Sequence, residues 1–120
     1  KGQAGLADKL IGEAEQAGDL RFVKAIAPDL SPNDLRSLAA QVNKRAAPSV
    51  VLLASEANGK CGMVCICSDE AVEAGHQAGK YLGELAEKLG GKGGGKPDFA
   101  MGGAPAGNDL GEAIQSISFS

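Results

Sequence analysis

Aromatic residues are scarce in this chain. They make up 3% of its 120 residues, tryptophan is absent and tyrosine occurs once. A chain of this length forms one domain with a real core, so leucine, isoleucine, valine and alanine must fill that core. We expect no signal peptide, and the sequence contains no apolar run long enough to cross a bilayer. The chain begins at Lys1 rather than at a methionine, as an excised fragment would.

Histidine and cysteine are also few. His76 is the only histidine, which leaves no Ser/His/Asp set, and we predict that it is an ordinary surface residue. Cys61, Cys65 and Cys67 contain no Cys-x2-Cys pair, and their odd number argues against a disulfide framework. On a strand they share one face with Met63, as buried thiols of a reduced, cytoplasmic protein. We therefore predict no catalytic residue, no metal site and no cofactor in this fragment.

The charge balance limits where the chain can bind a polyanion. The formal net charge is −3 at pH 7. A protein that binds nucleic acid over its whole surface is usually basic. Any RNA site on this acidic chain must therefore be a local patch.

The hydrophobic pattern predicts an α/β fold, with a small mixed sheet of about four strands and packed helices. The first two predicted strands are joined through a helix and should be parallel, and Asn58-Gly59 is a hairpin signal that makes the next pair antiparallel. The predicted strands are Leu20–Ala27, Ser49–Ser55, Cys61–Cys67 and a short one at Phe99–Met101. The predicted helices are Ala4–Ala17, a helix capped by Ser31 that includes Leu35–Val42, one long helix from Ser68 to Leu89, and a short helix after Asn108.

Glycine, in contrast to these scarce residues, is abundant. The chain has 18 glycines, and many of them lie in one run from Gly90 to Gly103. The run reads Gly-Gly-Lys-Gly-Gly-Gly-Lys-Pro-Asp-Phe-Ala-Met-Gly-Gly. Glycine is unfavourable inside helices and strands, so the run predicts a loop between the long helix and the last strand. Loop amides could converge on an anion, and Lys88, Lys92 and Lys96 add positive charge.

Known phosphate-binding motifs do not fit this run. The phosphate loop of nucleotide triphosphatases requires Ser or Thr where Pro97 stands, and it opens a helix after a strand. The Rossmann fingerprint does not fit either, because it also requires a strand-turn-helix context that this run lacks. A flexible linker is a simpler alternative, but the apolar Phe99-Ala100-Met101 that follows argues against it.

The same run closely resembles the glycine-rich signature of the carboxy-terminal domain of alanyl-tRNA synthetase, a member of the DHH-associated family. The order of predicted strands and helices is similar from about Leu20 onward. Many relatives carry Arg in place of Lys96 and Gln in place of Met101. The resemblance divides the chain into residues 1–18, the end of a linking helix, and residues 19–120, the tRNA-binding domain.

The resemblance implies the function. In that family the domain binds the elbow of alanine-specific tRNA and links aminoacylation and editing domains that lie upstream, where ATP and zinc are expected. The expected tRNA-binding residues are Lys88, Gly91, Lys92, Gly93, Gly94, Gly95 and Lys96, with a possible secondary contact at Arg36, Lys44 and Arg45. On this view the fragment is part of a ligase without being catalytic itself, and Gly93→Val should impair RNA binding and leave the fold intact.

Two other functions are compatible with the same residues. The fold is shared with the substrate-binding lobe of DHH-type phosphoesterases, although Lys96-Pro97 stands where those enzymes usually have histidine. The domain can also support a homodimer. No partner in a membrane is expected.

Overall fold

The computed structural model describes residues 12, 14–17, 20–26, 32–46, 49–57, 59–105 and 110–116. The strands in this part of the chain are β1 (Glu15–Ala17), β2 (Leu20–Ile26), β3 (Ser49–Ala57), β4 (Lys60–Cys67), β5 (Lys92–Gly95) and β6 (Phe99–Pro105). The helices are α1 (Pro32–Ala46), α2 (Asp69–Glu73), α3 (Ala78–Lys88) and α4 (Leu110–Gln115). None of the described helices is long and apolar enough to span a bilayer.

The strands form one mixed sheet in the order β1-β2-β3-β4-β6-β5. The pair β2–β3 is parallel and the pair β3–β4 is antiparallel, which confirms the predicted topology at the centre of the sheet. The prediction of about four strands was too low, because β1 and β5 extend the sheet at its two edges.

Strand β1 corrects the predicted helix Ala4–Ala17 at its end. Glu15 pairs with Phe22 and Ala17 with Leu20 in an antiparallel arrangement. These residues therefore belong to the sheet, since pairing with β2 outweighs their helical pattern. Nearly all of the predicted helix before Glu15 lies outside the described residues.

The sheet has a hydrophobic core on each face. On the face covered by α1, which we call the α1 face, Val51, Leu53 and Val64 pack with the buried residues of that helix, Leu35, Leu38, Ala39 and Val42. On the opposite face, the α3 face, the larger core packs against α2, α3 and α4 and includes Leu52, Cys61, Met63, Cys65, Cys67, Leu82, Leu85 and Ile114. The three cysteines are buried on one side of β4, as predicted.

The predicted long helix from Ser68 to Leu89 is broken into α2 and α3. Gly75 has φ of +103°, and the N–H of His76 donates to the carbonyl of Ala71. This is a glycine-centred helix end, and α3 restarts only after Gln77, which has extended backbone angles. The apolar spacing continued across the break, so periodicity alone predicted one helix.

A buried polar cluster joins α1 to the ends of β3 and β4. The hydroxyls of Ser49 and Ser68 both donate to Asn43 Oδ1, at 2.9 and 3.0 Å. The N–H of Ser49 donates to Ser68 Oγ at 2.9 Å. Ser68 does precede α2, but its hydroxyl is used here and does not cap the helix.

Candidate nucleic-acid interface

The glycine run is an edge strand and not a loop. Strand β5 pairs with β6 in antiparallel register, from Lys92 opposite Gly103 to Gly95 opposite Ala100. The prediction of a loop was wrong because it considered only the entropy that glycine loses. Hydrogen bonds to β6 and close packing against α3 hold the strand in place.

The glycines of this region allow backbones to approach unusually closely. A Cβ on Gly91 would overlap the carbonyl oxygen of Gly103, and one on Gly95 would lie 2.6 Å from the carbonyl oxygen of Phe99. A Cβ on Gly93 would lie 3.1 Å from Cα of Gly102 and 3.4 Å from Cγ of Leu82. Several of the glycines predicted to bind RNA are thus required by the packing of β5.

The end of α3 places β5 at the edge of the sheet. Gly90 has φ of +78°, its N–H donates to Glu87, and the N–H of Gly91 donates to Ala86 at 2.8 Å. This pair of bonds is the Schellman arrangement that ends a helix at a glycine. The chain turns directly from the helix into β5, so Lys92 is fixed relative to α3.

An extended strand is a poor anion nest. Successive N–H groups of a strand point to alternate sides, so the amides of β5 do not converge on one point as a nest requires. The carboxyl end of α3 is also partly negative. Contacts of this region with phosphates must therefore come mainly from lysine side chains.

Lys92 and Lys96 lie on the same face of the hairpin β5–β6. Gly93 and Gly95 face α3 and β6, so the alternation of the strand directs Lys92, Gly94 and Lys96 to the α1 face. Their neighbours on β6 are Gly103, Met101 and Phe99. We call the six residues Lys92, Gly94, Lys96, Phe99, Met101 and Gly103 the hairpin face.

The hairpin face is only partly covered. Helix α1 lies over β3 and β4, and Leu35 Cδ2 is 4.0 Å from the Cβ position of Gly62 on β4. On the hairpin face, which lies beyond the strands that α1 covers, Phe99 and Met101 are half-buried. Lys92, Gly94, Lys96 and Gly103 are exposed. Within the described part of the chain, a surface of apolar and basic residues thus remains beside α1.

The remaining predicted contacts are distributed differently. Lys88 is exposed in the last turn of α3, which packs on the opposite face of the sheet from Lys92 and Lys96. Arg36, Lys44 and Arg45 are exposed on α1 and therefore lie on the same side of the sheet as the hairpin face. The structure places Lys92 and Lys96 on one face of the hairpin and Lys88 on the opposite side of the sheet.

Acidic side chains surround the other side of the hairpin turn. Asp69, Glu70 and Glu73 of the α2 segment line a shallow depression together with Pro97 and Asp98. Carboxylates repel a phosphate backbone. This charge distribution makes α2 a less favourable surface for a polyanion than the hairpin face.

The environments of His76 and Tyr81 were not predicted from the sequence. His76 is half-buried, and its Nδ1 shares a hydrogen bond with Tyr81 Oη at 2.5 Å. Its ring meets that of Phe22 edge-on, with centroids 5.3 Å apart. The predicted surface role of His76 was wrong because the break at Gly75 turns its ring toward β2. Burial, with smaller contributions from Cys67, Cys65 and Glu84, raises the pKa of Tyr81 to about 12.

Raised pKa values make the Cys61 and Cys65 thiols poor nucleophiles, whereas the hydrogen bond with Cys65 lowers the pKa of the Cys67 thiol. Burial, with help from Glu56, raises the pKa of Cys61. The hydrogen bond with Cys67, followed by burial, raises the pKa of Cys65. Among the described residues, no three His, Cys, Asp or Glu side chains cluster closely enough to hold a metal ion.

Comparison with known proteins assigns the family. The profile of the DHHA1 domain matches residues 19–118. The chain therefore belongs to the DHHA1 domain family, and within that family it is similar to the C-Ala domain of alanyl-tRNA synthetase.

The individual relatives agree with that assignment. The chain is 44% identical to an alanine–tRNA ligase of Opitutus terrae over 96% of its length, and 38% identical to one of Rhodopirellula baltica over 91%. It spans 12% of the length of each of these ligases. The crystal structure of the C-Ala domain of Aquifex aeolicus alanyl-tRNA synthetase superposes with a TM-score of 0.72 and 30% identity, over 85% of this chain and 91% of that one.

A more distant structure shares the fold alone. RecJ of Thermus thermophilus, solved with Mg²⁺, matches with a TM-score of 0.59 at 16% identity. The match covers 95% of this chain and 17% of RecJ.

Proposed function

We propose that this chain is the tRNA-binding module of a cytoplasmic alanine–tRNA ligase, which contacts the tRNA elbow and links aminoacylation to editing. The observation that carries the proposal is the hairpin face, where Lys92 and Lys96 stand on either side of Gly94 beside half-buried Phe99. Aminoacylation and editing then reside in other parts of the ligase, with their ATP and zinc, because the described residues offer no set of groups for either reaction.

The charge distribution supports binding to phosphates at one surface. The chain carries 12 basic and 15 acidic residues, so its overall field does not attract RNA. Lys92 and Lys96 are separated by four residues of extended strand, about 13 Å at ~3.3 Å per residue. With Arg36, Lys44 and Arg45 on the same side of the sheet, they form a basic area suited to backbone contacts that position an RNA without reading its sequence.

A salt titration tests the proposal. Binding of alanine-specific tRNA to the 120-residue chain would be measured across a salt series, for the wild type and for a Lys92→Ala, Lys96→Ala double variant. Each phosphate contact contributes about 0.7 to 0.9 to the slope of log K against log salt. We expect the slope to shrink by roughly 1.5 units in the double variant.

A matched control separates local contact from net charge. Lys80 and Lys88 are also exposed, but both lie on α3, on the opposite face of the sheet from Lys92 and Lys96. A Lys80→Ala, Lys88→Ala variant loses the same charge and is expected to keep nearly all of the slope. Equal losses in the two variants, or no tRNA binding at low salt, would contradict the proposal.

The alternatives have weaker support. A phosphoesterase lobe rests on the fold shared with RecJ, while the relatives with the higher identities are ligases. A homodimer would be detected by sedimentation of the isolated chain. Monomeric behaviour with tRNA binding is the result expected of the proposed function.

A further inference from the structure

The hairpin face contains a surface that fits a nucleobase. Among the described residues, the other aromatic rings, Phe22 and Tyr81, pack around His76 on the α3 face. Phe99 instead packs against the α1-side core and remains half-buried at the border of the uncovered region. It is thus the described aromatic ring that shares a face with Lys92 and Lys96.

Glycine opens space beside this ring. Gly94 stands opposite Met101, and nothing lies within 4 Å of the position a Cβ would take there. Gly103, opposite Lys92, is exposed and likewise has no side chain. The pairing register indicates a shallow apolar recess, with Met101 at its centre, Phe99 and Lys96 at one end and Lys92 at the other.

The backbone that carries this ring is held by hydrogen bonds. Lys96 and Phe99 exchange N–H···O bonds of 2.8 and 3.3 Å across the turn. The turn carbonyls are also bonded, Pro97 to the N–H of Ala78 and Asp98 to the N–H of Cys67. The backbone at Phe99 therefore loses little freedom when a ligand binds, which favours affinity.

We propose that Phe99 is the residue on which an unstacked base of the RNA stacks, with Met101 as the floor of the recess and Lys92 and Lys96 on the flanking phosphates. This inference rests on the proposed function. Proteins recognise folded RNA at loops and ends, where bases can stack on aromatic side chains, and basic groups beside the ring hold the backbone. The ligand class is therefore an RNA with an exposed, unpaired base, and a continuous duplex binds only through the lysines.

The first test compares two RNAs. Phe99→Leu keeps an apolar side chain but removes the ring, and Phe99→Tyr keeps the ring. We expect Phe99→Leu to weaken tRNA binding about 5- to 150-fold, the range found for loss of one stacked base. Its salt slope and its binding to a blunt duplex of equal length should not change, and Phe99→Tyr should retain tRNA affinity.

A second measurement reports stacking directly. The chain has no tryptophan, so Phe99→Trp introduces a single reporter. Its fluorescence should be quenched by tRNA and much less by the duplex. Ile26→Trp is the control, because Ile26 is 39% exposed on β2 and lies on the α3 face by alternation with buried Val23.

The outcomes distinguish this inference from the proposed function. Unchanged tRNA affinity of Phe99→Leu, or unquenched fluorescence of Phe99→Trp at saturating tRNA, would overturn stacking while the lysine titration still stands. A loss of binding to tRNA and duplex alike in a folded Phe99→Leu protein would also overturn it, since stacking affects only RNAs with an exposed base. Circular dichroism of each variant establishes that the fold is kept.

Discussion

Lys96 and Phe99 face each other across the Pro97–Asp98 turn and exchange two backbone hydrogen bonds. This pairing closes the β5–β6 hairpin and places a basic and an aromatic side chain on the same face. The turn is bonded to both α3 and β4, so the hairpin face is part of the rigid sheet. The candidate interface is thereby connected to the core of the domain.

Two glycines on α3 should respond in opposite ways to alanine. A Cβ on Gly79 would lie 2.9 Å from the carbonyl oxygen of Gly95, whereas one on Gly83 would be 3.9 Å from that of Gly93. Gly83→Ala is expected to stabilise the fold by about 0.5–1 kcal/mol, because glycine is a poor helix former. Gly79→Ala is expected to destabilise it by about 1–3 kcal/mol through displacement of β5. Urea denaturation measures both, and equal effects would argue against close packing of α3 on β5.

Gly93→Val should damage the fold as well as RNA binding. Leu82 and Ala86 of α3 lie 3.4 and 3.5 Å from the position of its Cβ, and Gly102 lies closer. A branched side chain cannot enter without separating β5 from β6 or from α3, at a cost of about 1–3 kcal/mol or more. The sequence alone predicted an intact fold for this variant. The structure instead leads us to expect a lower denaturation midpoint. A variant of wild-type stability would show that β5 is not packed in this way.

Tyr81 should ionise at unusually high pH. Its pKa of about 12 lies above the ordinary value of 10.0, chiefly because of burial. The neutral phenol is favoured in the folded state, so its stabilising contribution is complete below about pH 10 and is lost as pH rises toward 12. It is the only tyrosine, so phenolate absorbance reports this group alone. A native midpoint equal to that of the protein in urea would contradict the prediction.

The thiols of β4 should react slowly in the native protein. Cys61, Cys65 and Cys67 are at most 3% exposed. Cys65→Ser is expected to cost about 1–3 kcal/mol, because the new hydroxyl must be desolvated beside an apolar core. Thiol-labelling rates with and without denaturant provide the check, and rapid native labelling of all three cysteines would refute their burial.

The sequence by itself determined the centre of this domain. Alternating or continuous apolar residues indicated β2, β3 and β4, and the helical spacing of Leu35 to Val42 indicated α1. The parallel and antiparallel pairing of these strands followed from the connections between them. Such patterns work because side chains that are buried on one face repeat with the period of the local backbone.

Tertiary structure decided the parts that carry no such pattern. The state of Gly91 to Gly95 depends on the partners that approach their bare backbone, namely β6 and α3, and composition alone favoured a loop. The break at Gly75 depends on a positive φ that apolar spacing does not encode. Lys88, Lys92 and Lys96 are evenly spaced in the sequence, yet α3 and β5 belong to different layers, so the fold places two of them on one face of the sheet and the third on the other.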